Sequence, residues 1–207
     1  ICLLFTIYSW GQDHFAFTPI DSNDGLSENK INCITQLHDG RLVIITDGLI
    51  NLYDGTSFHY LHYNEEQLCD LTEYNGYHRT YVDNEGFLWI KNQFKLKLYD
   101  IHKESFVTNT DSILKTLGIH RPLKNFFMDT DCNYWFQTTD DQLIYRNCKY
   151  GESRLFLTEI SGLGGKEDML YDLAVIEKHV FLFYRSGATA CYEIENANEL
   201  YMENPFG

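Results

Sequence analysis

Positive charge is scarce in this chain: 16 Lys and Arg stand against 30 Asp and Glu, a formal net charge of -14. Such a surface repels phosphate backbones and anionic lipid, so nucleic acid is not an expected partner of this segment. Proline is scarce as well, 3 in 207 residues, while 44% of the residues are hydrophobic and 15% aromatic. That balance belongs to a folded, β-rich core and excludes a disordered tail. The 6 cysteines form no CxxC pair and share no spacing. Setting Cys2 aside with the leader discussed below leaves an odd number, Cys33, Cys69, Cys132, Cys148 and Cys191. Neither a disulfide framework nor a zinc site follows. Buried thiols are the expected role, with one incidental disulfide as the alternative.

Chemistry-bearing motifs are also missing. His59 and His62 fall on opposite faces of an expected strand and cannot readily share a metal. The run Gly162-Leu163-Gly164-Gly165-Lys166 lacks the first glycine of a phosphate-binding loop and is followed by Glu167 where Ser or Thr is required. The segment Asp129 to Asn133, with Asp140 further on, has the ligand spacing of a calcium loop, but Tyr134 occupies the place that needs glycine. There is no Gly-x-Ser-x-Gly elbow and no isolated acidic pair. The sequence therefore gives no positive sign of catalysis, a cofactor or a metal.

Long hydrophobic runs are absent too. Ile1 to Tyr8 is apolar but too short to span a bilayer. It ends at Ser9-Trp10-Gly11, small residues where a signal peptidase reads, with Gln12 following. Residues 1–11 are expected to be the remnant of a signal peptide, the alternative being a buried first strand, and an exported protein follows from the first reading.

What is present is a repeat. Trp89 and Trp135 are 46 residues apart, and Tyr53, Tyr99 and Tyr145 stand at the same interval. One period places Gly40 over Gly86, Leu42 over Leu88, Ile44 over Ile90 and Leu52 over Leu98. A further step takes Trp135 to Phe181, where hydrophobicity persists and the motif is lost. Periods of about 40 to 50 residues with an aromatic residue in each are the sequence form of β-propeller blades. Asp-Gly and similar dipeptides between the runs suit tight hairpins, since glycine accepts positive φ.

The expected fold is all-β: blades of four antiparallel strands, about four repeats, at 31–63, 77–108, 124–157 and 171–207, within a propeller segment covering 12–207. Four units of this width fall short of an easily closed ring, so a larger, seven-bladed propeller is expected. Phe15 to Ile20 is expected to be a strand of the closing blade. Longer connections are expected at Asn64 to Gly76, Asn109 to Arg121 and Thr158 to Leu170. In the second, Asp111 or Ser112 is expected to cap a short helix carrying Ile113, Leu114 and Leu117 and ended by Gly118. Trp89 and Trp135 are expected to pack between blades and not to stack on sugars.

The residues Asp24-Gly25-Leu26-Ser27, Ile34, Gly40, Asp47-Gly48-Leu49 and Leu52-Tyr53-Asp54-Gly55 resemble the two-component-regulator propeller repeat. So do Gly86-Phe87-Leu88-Trp89-Ile90, Tyr99-Asp100, Asp129, Trp135, Thr138 and Tyr145. The segment is similar to the periplasmic sensor region of hybrid histidine kinases of gut Bacteroidetes. Val43 stands in place of Trp in the first repeat, and Lys91-Asn92 in place of Gly-Thr in the second. The resemblance implies a receptor that is homodimeric at full length, anchored in the inner membrane through a region outside this segment, and responsive to glycan fragments. It implies a parent kinase acting by autophosphorylation and phosphotransfer. Two other classes stay open, a secreted propeller enzyme acting on polysaccharide and an exported adhesion or scaffold domain.

In an up-and-down blade, the link to the next unit and the middle hairpin fall on one side of the disc. That side is expected to gather Tyr77, His78, Arg79, Arg121, Lys124 and Tyr171, together with Asn29, Lys30 and Tyr74. Rings and cations of this kind can stack on a sugar or pair with a uronate or sulfate, and an oligosaccharide is the expected ligand. The plain alternative is an ordinary solvated loop surface.

Overall fold

Four antiparallel sheets follow one another along the chain in the computed structural model, which describes residues 18–47, 49–63, 68–76, 78–157 and 168–203. The first contains β1 (Ile31–Gln36), β2 (Leu42–Thr46), β3 (Ile50–Tyr53) and β4 (Phe58–Leu61), hydrogen-bonded in chain order. The third repeats this plan with β10 (Leu123–Met128), β11 (Tyr134–Thr138), β12 (Gln142–Arg146) and β13 (Ser153–Leu157). So does the fourth, with β14 (Leu170–Ile176), β15 (His179–Tyr184), β16 (Thr189–Glu193) and β17 (Glu199–Glu203). The expected leader at residues 1–11 and the glycine run at 162–166 lie outside the described residues, as does the first half of the strand expected at Phe15 to Ile20, whose remaining residues 18–20 are not in a strand.

The second sheet departs from the plan. β6 (Arg79–Val82), β7 (Phe87–Asn92) and β8 (Lys95–Asp100) pair in turn, but the outer edge of β8 is shared between β9 (Ser105–Phe106) and β5 (Cys69–Asp70). After Val107, whose N–H still donates to Leu98 O at 2.9 Å, the chain turns away into α1 (Thr110–Thr116). The start of β8 is then left bare, and Cys69 and Asp70 cover it by pairing with Leu96 and Lys95. The expected fourth strand is therefore cut to two residues, and part of the expected loop at 64–76 is a strand. The helix cap also differs: Asn109 accepts from Ser112 N at 2.9 Å, two or three residues before the expected Asp111 or Ser112.

The first strands of successive sheets converge. Cys33 Sγ of β1 lies 3.2 Å from Thr80 Oγ1 of β6, and Asn125 Nδ2 of β10 reaches Leu170 O at the start of β14 at 3.4 Å. Arg79 of β6 reaches past the third sheet to Asp172 of β14 at 2.8 Å. Sheets whose first strands meet in this way around a common centre are radially arranged, with β1, β6, β10 and β14 innermost.

Between each pair of sheets lies an apolar cluster. Val43, Ile45 and Leu52 meet Leu88, Ile90 and Tyr99; Trp89, Leu96 and Leu98 meet Phe126, Tyr134 and Phe136; Trp135, Leu143 and Tyr145 meet Val180, Leu182 and Tyr192. Both tryptophans are buried in these seams, and Trp89 stacks on Phe126 with centroids 4.6 Å apart. Burying such rings contributes a few kcal/mol each, on the order of 2–3 by area.

The 46-residue tyrosine interval does not mean a common environment. Tyr99 faces the first sheet and Tyr145 the fourth. The middle hairpin explains the difference. In the second sheet Asn92 pairs with Lys95 across a two-residue turn, with Gln93 and Phe94 both at positive φ. In the third, Asp141 N donates to Thr138 O and the turn has three residues, the last of them Asp141 at φ 60°. One extra turn residue shifts the following strand by one place, and a strand shifted by one presents the opposite face. Trp89 accordingly lies opposite Leu98, and Trp135 opposite Tyr145.

Candidate functional site: the loop face of the sheets

The motif that repeats most clearly in sequence is structural. Asp83 closes the first hairpin of its sheet, accepting from Glu85 N at 3.0 Å and Phe87 N at 2.8 Å through one oxygen. The other oxygen accepts from Trp89 Nε1 at 2.7 Å and from Tyr134 Oη of the next sheet at 2.7 Å. Asp129 does the same for the third sheet, with Asp131 N, Asn133 N and Trp135 Nε1 at 2.9–3.0 Å. Where the tryptophan is replaced, by Val43 and Phe181, the preceding aspartate position holds Leu37 and Val175. An indole N–H buried between sheets needs an acceptor, and an aspartate without it gains less. The Asp129 carboxylate is thus engaged by its own hairpin.

The opposite side of the disc carries the middle hairpins and the links between sheets. The residues expected to bind there are distributed over three places. His78 lies in a cleft between the first and second sheets. Arg79 and the exposed Tyr171 lie near the axis, Arg79 being paired with Asp172. Lys124 and Arg121 lie over the seam between the second and third sheets. Lys124, almost buried, lies between Glu73 at 2.8 Å and Asp141 at 2.5 Å, and Arg121 is paired with Asp140. Tyr77 lies outside the described residues. Lys30 bonds Asp47 at 2.7 Å, and Asn32 bonds the same carboxylate at 2.8 Å.

Charges on this face are tuned mainly by internal pairing. Burial opposes the Lys124 ammonium, but its bonds to Asp141 and Glu73 outweigh burial and raise its pKa. The Asp172 carboxylate raises that of Arg79. Burial, reinforced by the nearby Lys97 ammonium and opposed by Asp47, draws His78 down to about 4, so its imidazole is neutral at pH 7.

The His78 cleft has a volume of about 180 Å³ and is floored by Ile45, Ile50 and Leu61. Its polar lining comes from Asp47, His62, Tyr63, His78, Asn92 and Lys97. Lys97, absent from the sequence-based site, lies in the middle of β8 opposite Ile90 and is only 4% exposed. Its Nζ rests 3.5 Å from the centroid of the Tyr63 ring. Burial lowers its pKa, with Tyr63 opposing. The pattern Lys95-Leu96-Lys97-Leu98 gave no warning, because a buried lysine and a solvated one read alike in an alternating strand.

On the far side of the same seam lies a larger hollow of about 590 Å³ lined by His38, Asp39, Arg41 and Glu104. There the cation is neutralised, Arg41 lying 2.8 Å from Asp39 and 2.6 Å from Glu104. The five cysteines among the described residues are free thiols. Burial pushes Cys69 up to about 12 and Cys148 up to about 11, which makes them poor nucleophiles.

Radially arranged sheets of four antiparallel strands, joined outer strand to inner strand, define the β-propeller class. No family model matches the chain, and no curated protein is significantly similar to it in sequence. Several solved structures share its fold. The extracellular domain of the hybrid two-component system BT3049 from B. thetaiotaomicron is 18% identical over 91% of this chain and 26% of its own, with a TM-score of 0.58. PorZ, an essential bacterial surface component of the type-IX secretion system of Porphyromonas gingivalis, is 11% identical over 87% of this chain and 23% of its own, at 0.55. The β-propeller domain of Cps50 (Swd1) from Myceliophteria thermophila is 12% identical over 86% and 56%, at 0.50. The chain thus spans about a quarter of the first two proteins. At these identities the likeness establishes a fold.

Proposed function

We propose that residues 12–207 form part of an exported, ligand-sensing β-propeller belonging to a hybrid two-component histidine kinase. The observation that carries this reading is the likeness to the extracellular domain of BT3049, which extends over 91% of the chain. The repeat motifs resembling the two-component-regulator propeller support it independently. In this reading the loop face binds a glycan fragment outside the cell, and binding alters how two copies of the receptor pack. The kinase, encoded beyond this segment, responds by autophosphorylation and phosphotransfer. This segment contributes recognition and no catalytic group.

Two measurements test the reading. The reading frame that continues past Gly207 is expected to encode further repeats, one membrane-spanning helix and a kinase domain; a stop codon soon after Gly207 would count against a receptor. Thermal-shift screening of the complete exported region against glycan fragments is expected to raise its Tm by several degrees with at least one of them. No shift with any fragment would remove the ligand-sensing role.

A further inference from the structure

Two lysines are buried in the second sheet, and they are treated differently. Lys91 is wholly buried, and its Nζ donates to Asn125 Oδ1 at 2.9 Å and Phe126 O at 2.6 Å, with the Tyr74 and Phe127 rings over it. It is a structural lysine with its hydrogen bonds made. Lys97 is almost as buried, yet its Nζ is engaged by the Tyr63 side chain alone, as a ring and as a hydrogen-bond partner, and no carboxylate among the described residues forms an ion pair with it. An ammonium held out of water without an anion is costly. Tyr63 offsets only part of that cost, since burial still lowers the pKa. Asp47 is held by Lys30 and Asn32, and His78 and Asn92 are uncharged hydrogen-bonding groups at the rim of the same cleft.

We propose that this cleft is an anion-binding subsite. It takes a carboxylate or sulfate group of a small ligand onto Lys97 Nζ, with hydrogen bonds from His78 and Asn92 and the Tyr63 ring alongside. The cleft holds about 180 Å³, roughly six waters' worth, which suits one monosaccharide-sized group. A charge-assisted bond in this sheltered position is stronger than one on the open surface. Combined with the sensing role proposed above, on which this step rests, the subsite selects acidic glycans: uronates or sulfated sugars.

The test is isothermal titration of the full-length protein with glucuronate, galacturonate, glucose and inorganic sulfate, alongside NMR titration of the His78 ring. A uronate or sulfate is expected to bind at least tenfold more tightly than glucose and to raise the His78 pKa. Lys97→Met should remove that preference and Lys97→Arg should retain it. Binding of sulfate without either uronate supports the subsite and assigns it to sulfate esters. Equal affinity for glucose and the acids, or an unmoved His78, overturns it. The wild-type His78 shift and the variant Asn92→Ala, expected to weaken anion binding severalfold, serve if Lys97→Met does not fold. Stabilisation by neutral glycans alone would end this inference and leave the sensing role intact. Tight anion binding with no response to any glycan would do the reverse.

Discussion

Asp83 is fully buried and its carboxylate receives four hydrogen bonds, two closing a hairpin and two from rings in different sheets. Asp83→Asn puts an N–H₂ among donors and is expected to cost about 2–4 kcal/mol in urea unfolding, since buried donors lose their acceptor. Asp129→Asn, at a half-buried site whose partners among the described residues all lie in its own hairpin, should cost less, about 1–2 kcal/mol. His78 contributes a pH dependence above the carboxylate range. Its pKa is about 4 when folded and near 6.5 when unfolded, so the unfolded state takes up more protons between those values. Its contribution is therefore fully present above about pH 6.5 and is lost as pH falls towards 4; solvent screening at this half-buried ring reduces it to on the order of 1–2 kcal/mol in total. The difference in stability between wild type and His78→Gln, followed by denaturant titration from pH 7.5 to 4, should shrink across that window; a constant difference would contradict the assignment.

At the scale of single elements, the first hairpins differ in how much room their left-handed residue has. Gly86 has φ 88°, and an added Cβ would lie 2.3 Å from His102 Nε2; Gly40 has φ 91° with open space around it. Gly40→Ala is expected to cost about 1 kcal/mol from the backbone alone, and Gly86→Ala about 2–3 kcal/mol unless His102 swings away. The double variant Gly86→Ala, His102→Ala should recover part of the difference. These hairpins were legible in the sequence because glycine and aspartate recur there with the aromatic period. Three features were not. β5 has only two residues, too few to show alternation, and exists because β9 leaves an edge uncovered. The turn of β11 into β12 is one residue longer than its counterpart, which a fixed interval conceals, so the interval groups Tyr145 with Tyr99 although they face opposite ways. The burial of Lys97 stayed hidden because it depends on what surrounds the strand, whereas topology alone places His78 on the loop face, where it lines the same cleft.

On the scale of the whole molecule, the Arg79–Asp172 pair joins the second and fourth sheets across the axis. Both side chains are over a third exposed, so the pair itself is expected to be worth at most about 0.5–1 kcal/mol, and less in high salt. The two partners should not be equivalent. Burial holds the Lys91 pKa well below the usual lysine range; Arg79 lowers it further and Asp172 opposes. Asp172→Asn leaves the Arg79 guanidinium unpaired near the buried Lys91 and should destabilise more than Arg79→Gln; equal costs in a double-mutant cycle would show that Lys91 does not feel the pair. The unequal turn also constrains how such a molecule can be remade. A chimaera cut by the sequence interval, with the third strand of one unit grafted behind the second strand of its neighbour, would deliver oily side chains to the wrong seam. Viable exchanges between units must carry the turn together with the strand that follows it, so that the unit of inheritance is the hairpin.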